Sequence, residues 1–197
     1  MAQKPAKPAA AFDTRSFGTD ELWGFLASNI DADPAAGTFR LFAQRLLILR
    51  PEALIDLQKQ LEETVGLSSK GFLYLAGEKS AREGHAFFDR LAPSQPAPAD
   101  EPTLLARSIE PLAFLGWGRF GVSPVDADAH RYLVTLENSP LAEAYGESKR
   151  PVCHLLAGWV AGTAEHVLGK SFLCEETACR SQGKPHCEFV LRPMPYL

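Results

Sequence analysis

Nothing in this 197-residue chain approaches the run of roughly 18 apolar residues that a membrane-spanning helix requires, so no helical span is expected. Lys and Arg never occur more than two together, and the net charge is −4. A nucleic-acid partner is therefore not expected, because phosphate binding needs a concentrated basic surface. No glycine-rich dinucleotide fingerprint, phosphate loop or Ser/His/Asp set stands in a recognisable context. Hydride transfer, phosphoryl transfer and serine hydrolysis thus lack a visible seat, and a binding domain is expected before an enzyme. The opening "MAQKPAKPAAAFDTRSF" lacks the apolar stretch of a secretory signal, which leads to the expectation of a cytoplasmic protein.

Cysteine is scarce too, but its four copies are not scattered. Three stand in "CEETACRSQGKPHCEF", at 174, 179 and 187, and Cys153 precedes them. Clustered thiols without a signal sequence favour a reducing compartment and metal ligation over a disulfide framework.

Residues 1–16 are expected to form a disordered tail, because a start rich in Ala, Pro and Lys cannot bury enough surface to order itself. Residues 17–197 then make a single domain. "TDELWGFLASN" (19–29) reads as a short helix, and "GTFRLFAQRLLILR" (37–50) as strand, broken near Ala43-Gln44. Pro51 opens a helix to residue 65, with Leu54, Leu57 and Leu61 at helical spacing and Gly66 at its end. Residues 68–91 read as a longer helix against it. Four prolines among residues 92–102 make an internal loop. A helix kinked at Pro111, a strand over 131–138, a short helix closed by Gly146 and a long helix over 151–169 follow. Two strands joined through Gly183 and Pro185 finish the chain. Helices and antiparallel strands alternate in blocks without a βαβ rhythm, so the expected class is α+β.

A structural metal site wants four soft or borderline donors in a tetrahedron. Cys179 and Cys187 lie on opposite arms of the terminal hairpin, and Glu176 stands three residues before Cys179. Cys153 is expected in the first turn of the long helix, where backbone amides favour a thiolate. Cys174 is the alternative fourth donor, about 6–7 Å along the strand from Glu176 and so unable to share one ion with it. His186 is expected to face away from Cys187. The competing reading is four reduced cysteines in a core with Glu176 exposed.

A Cys before a helix containing Gly158 and Gly162, then Glu-x-x-Cys, a seven-residue gap and Cys-x-Phe, resembles the 4-vinyl reductase domain family. With the first half of the chain included, the resemblance covers residues 35–192. It implies an antiparallel sheet with packed helices, of the type shared by nitric-oxide-sensing and Golgi-transport ligand-binding domains. It also implies homodimers, small hydrophobic or aromatic ligands, and a structural zinc held by Cys153, Glu176, Cys179 and Cys187. The function so implied is a stand-alone small-molecule sensor or carrier. The alternatives are an accessory factor or enzyme of bacteriochlorophyll synthesis, or a protein-interaction scaffold.

Ligand sites are mostly apolar with a few placed polar groups. Phe114, Trp117, Phe120, His130 and Tyr132 offer an aromatic wall, with Ala157 and Trp159 on the long helix and Cys174 on the strand beside it. His154 is a further candidate there. Aromatics at such spacing are equally the mark of a core. Gly158 and Gly162, four apart, are expected to mark close helix packing.

Overall fold

The computed structural model describes Gly24 and residues 27–42, 44–91 and 99–195. The expected tail, most of the 19–29 helix and most of the 92–102 loop lie outside the described residues.

The first described strands, β1 (Ile30–Asp33), β2 (Thr38–Leu41) and β3 (Gln44–Arg45), form a small antiparallel sheet in that order. The Asp33 carboxylate accepts from the Ala35 and Ala36 amides, and Gly37, at φ 62°, completes the turn into β2. β1 was not expected, because "IDAD" is too acidic to read as strand. The expected strand over 37–50 is also corrected. Only β2 and β3 form, and residues 46–50 have no regular structure.

Helix α1 (Pro51–Val65) starts at proline and stops at Gly66, as the sequence indicates. Its buried positions are Ile55 and Gln58, whereas Leu57 is exposed, so the inward face lies one residue on from the Leu54–Leu57–Leu61 stripe. A 3₁₀ turn leads into α2 (Ser69–Leu91). Helix α3 (Glu101–Ile109) begins inside the segment read as loop, because Asp100 caps it by accepting from the Thr103 amide. The kink expected at Pro111 is a change to a 3₁₀ helix, Glu110–Leu115, closed by left-handed Gly116.

Strand β4 (Arg119–Asp126) was missed in the sequence, where Gly121 and Pro124 disguise it. Proline is tolerated there because β4 is an edge strand, paired only with β5 (Arg131–Glu137). Next come α4 (Pro140–Tyr145), α5 (His154–Leu168), β6 (Phe172–Ala178) and β7 (Cys187–Pro193). The larger sheet is antiparallel in the order β4-β5-β7-β6, and the class is α+β as expected.

Helix α5 is the centre of the molecule. Every residue from Leu156 to Ala164 is buried, between α2, α3 and the larger sheet. A helix apolar on all sides must be covered on all sides. Its crossing with α2 is a backbone-to-backbone contact: a Cβ at Gly158 would fall on the Tyr74 carbonyl, and one at Gly77 on the Leu155 carbonyl. A Cβ at Gly162 would lie 2.5 Å from the Glu78 carbonyl oxygen, so Gly158 and Gly162 serve close packing as expected.

Candidate metal centre

Three elements deliver the four donors. Cys153 is the N-cap of α5 rather than a member of its first turn, which corrects the sequence expectation. There its amide donates to Glu176 Oε2 at 2.7 Å. The preceding loop is held by buried Gln58 of α1, whose Nε2 donates to the Val152 carbonyl at 3.1 Å. β6 supplies Glu176 opposite Phe189, and the pairing then slips before Ala178, turning the chain toward Cys179. The Cys179 amide donates to the Gln182 side chain at 3.1 Å, which tightens the knuckle between the two strands. Cys187 opens β7, the strand paired on both sides.

The sulfurs of Cys153, Cys179 and Cys187 are 3.9, 3.9 and 3.7 Å apart. With metal–sulfur bonds of about 2.3 Å, the edge of a regular tetrahedron is about 3.8 Å. All four donor atoms lie within 4.8 Å of one another, and all four residues are buried. Glu176 Oε1 is buried without a hydrogen-bond partner. An orphaned carboxylate oxygen beside three sulfurs is an uncommon arrangement unless a cation joins them.

The protonation of this cluster points the same way. Hydrogen bonding to the other two sulfurs, together with burial, pushes the Cys153 thiol well up. Hydrogen bonds from Cys153 and Cys187, with a further one from Ser181, push Cys179 far down, making it the favoured thiolate. Cys187 is pushed up to about 12, because Cys179 and burial outweigh the lowering bond with Cys153. Burial raises Glu176 to about 8. Four acids so close resist ionising together, and a single cation at their centre would relieve that resistance. The cluster could hold a metal ion.

The alternative donors fall away. Cys174 is buried outside the cluster, where its amide donates to the Tyr74 hydroxyl at 3.1 Å. Burial pushes its thiol up, as expected of a small hydrophobe. His186 pairs with Glu188 at 3.1 Å instead.

The expected ligand-binding residues divide. Tyr132, Ala157, Trp159 and Cys174 are buried in the main core, with Trp117 and Phe120 packed half-buried against it. Phe114 and His130 are also half-buried. Two surface clefts, of about 710 and 350 Å³, are lined by other residues. His154 borders the smaller one.

One polar cluster was not legible in the sequence. Glu101 Oε2 lies 2.5 Å from His130 Nδ1 and accepts from the Tyr132 hydroxyl. Lys170 Nζ stands 2.8 Å from His130 Nε2 and 3.4 Å from Glu101 Oε1. An ammonium only donates, so His130 Nε2 accepts and Nδ1 carries the hydrogen given to Glu101. Burial would raise Glu101, but the bonds from Tyr132 and His130 and the charge of Lys170 hold it below the usual carboxylate range. Burial and then Glu101 push the Tyr132 phenol up.

All four donors of the candidate metal centre fall between β5 and β7, and it is this segment that has a recognised family. Residues 133–193 match the 4-vinyl reductase (4VR) domain family. The matched segment is shorter than the resemblance expected over 35–192, and comparisons of the whole chain supply the rest. The chain is 34% identical over 50 residues, 25% of its length, to the phenol regulator MopR of Acinetobacter guillouiae, and spans 9% of that protein. It is 24% identical over 179 residues, 84% of its length, to the transcriptional regulatory protein XylR of Pseudomonas putida, and spans 30% of that one. Among solved structures, the fold is similar to the phenol-responsive sensory domain of the transcription activator PoxR with phenol. There the TM-score is 0.70 and the identity 23%, over 90% of this chain and 92% of that one. A trafficking protein particle complex subunit 3 from Naegleria fowleri, covalently bound to palmitic acid, shares the fold at TM-score 0.53 and 19% identity, over 75% of this chain and 96% of that one.

Proposed function

We propose that this chain is a small-molecule-binding sensor or carrier domain whose terminal hairpin is stapled to α5 by a structural zinc ion. The likeness over 90% of the chain to a sensory domain that holds phenol is the observation that carries the ligand-binding reading. Three thiols and one carboxylate at tetrahedral spacing suit zinc, whose structural sites are closed and four-coordinate. Such a site leaves no position for a catalytic water, so the metal would hold the wall and not perform chemistry. The ligand would be a small aromatic or hydrophobic molecule against Tyr132, Trp159 and Ala157, with Phe114, Trp117, Phe120, His130 and Cys174 around them. Its hydroxyl group, if it has one, would meet the Tyr132–Glu101 pair.

A fluorescence titration with phenols, isoprenoids and porphyrin precursors tests this through Trp117 and Trp159. Saturable quenching by one class is the expected outcome. Tyr132→Phe is expected to weaken a hydroxylated ligand by about threefold to tenfold, the equivalent of roughly 0.5–1.5 kcal/mol, and to spare its deoxy analogue. Ala157→Phe is expected to block both. No binding by any class, with Ala157→Phe lowering the melting temperature, would overturn the sensor reading in favour of a scaffold.

Assembly as a homodimer belongs to the same proposal. Leu57 of α1 and Phe72 and Leu75 of α2 are 58%, 58% and 59% exposed, and Leu73 beside them is half-buried. Leu47 and Ile48, just before α1, are 76% and 83% exposed. The side chains of Phe87 and Phe88, expected in the same interface, lie outside the described residues. Exposed apolar surface of this extent favours a partner, and a two-fold contact through α1 and α2 would cover it. Light scattering at micromolar concentration is expected to give twice the chain mass. A monomer mass would refute the contact.

A further inference from the structure

We infer that the cleft between the start of α2 and the loop before α5 is a binding site for the oxyanion of a small organic molecule, a phosphate ester or a carboxylate. The cleft measures about 350 Å³, within the range of small-molecule sites. Lys70, Lys149, Arg150 and His154 line it, and Glu62 is the sole acidic group among its lining residues. Glu62 is already engaged, accepting from Gln58 at 2.9 Å and from the Tyr145 hydroxyl at 2.7 Å. The Lys70, Lys149 and Arg150 side chains have no ion-pair or hydrogen-bond partner among the described residues. Like charges repel, so gathering three unpaired cations in one concavity on a chain of net charge −4 is unfavourable until an anion joins them.

The backbone adds to this. Ser69 and Lys70 open α2 and His154 opens α5, and all three border the cleft. Two helix N-termini therefore add their partial positive charges to those of the side chains. Leu67, Pro151 and Val152 complete the lining. The occupant is thus amphipathic, an oxyanion carried on a short apolar body. The cleft is separate from the aromatic wall proposed for the sensor ligand, so its fate does not depend on that reading.

Calorimetric titration of the full chain with phenyl phosphate, and separately with inorganic phosphate, at constant ionic strength in chloride tests the site. Phenyl phosphate is expected to bind saturably, one per chain, and more tightly than inorganic phosphate. The double variant Lys70→Gln/Arg150→Gln is expected to weaken binding at least tenfold with an unchanged melting curve, and Lys149→Glu to do the same. Lys184→Gln, outside the cleft, should bind as the parent does. Cosedimentation with phosphatidic-acid vesicles, lost in the double variant, would trace the oxyanion to a lipid headgroup. Phenyl phosphate binding without cosedimentation would assign a free metabolite. Absence of saturable binding in every arm, or binding undiminished in both variants, would overturn the site.

Discussion

Protein purified without chelator is expected to carry one zinc per chain, and Cys187→Ser to lose that metal and melt about 10 °C lower. Breaking one member out of a buried charged cluster costs about 3–5 kcal/mol, and each kcal/mol moves the melting temperature of a chain this size by about 2–4 °C. Cys187 is the donor whose loss should matter most. It opens β7, and β7 is hydrogen-bonded to both β5 and β6, so loosening it loosens the middle of the sheet. Cys174→Ser is the matched control, since Cys174 is equally buried but outside the cluster, and it should retain the metal. Acidification tests the same site from another side. Thiolates and the carboxylate compete with protons for the ion, so metal-derived stability is present near neutrality and is lost as the pH falls below about 5. Elemental analysis finding no zinc, or Cys187→Ser retaining it in full, would refute the site.

Gly158→Ala is expected to destabilise the domain by about 1–3 kcal/mol, although alanine is the better helix former. A methyl group there meets the Tyr74 carbonyl, and a backbone carbonyl cannot swing aside as a side chain can. α2 and α5 would have to move apart, opening the contact on which the core is built. Gly71→Ala supplies the opposite sign within α2. Nothing lies within 4 Å of a Cβ at Gly71, so alanine there should stabilise by about 0.5–1 kcal/mol. Thermal melts of the two variants should therefore shift in opposite directions. Equal shifts would mean that helix propensity, and not the closeness of the two backbones, governs both positions.

Why some of this was legible before the structure and some was not follows from sequence distance. Glu176, Cys179 and Cys187 sit on one hairpin, so spacing and a turn signal suffice to bring them together. Proline at position 51 and glycines at 66 and 146 mark helix ends by local backbone rules. β4 was lost because Gly121 and Pro124 argue against a strand, and only its place at the edge makes them acceptable. The inward face of α1 was misjudged by one residue, because buried Gln58 is polar and exposed Leu57 is not. The Glu101–His130–Lys170 cluster joins residues 29 and 40 positions apart, and no local pattern announces such a meeting. The cationic cleft was invisible for the same reason: Lys70 and Arg150 become neighbours only through the fold.

Both margins of the larger sheet are closed to further strands. On one side Pro124 lies within β4 and offers no N–H, and the pairing shifts just beyond it. On the other, the Cys174 amide of β6 donates to the Tyr74 hydroxyl of α2 and not to a passing chain. An extended peptide or a second copy therefore finds no continuous ladder to join, and β-type fibril growth has no template here. Any aggregate of this protein on heating should start from unfolded chains, and its onset should track the melting temperature of each variant.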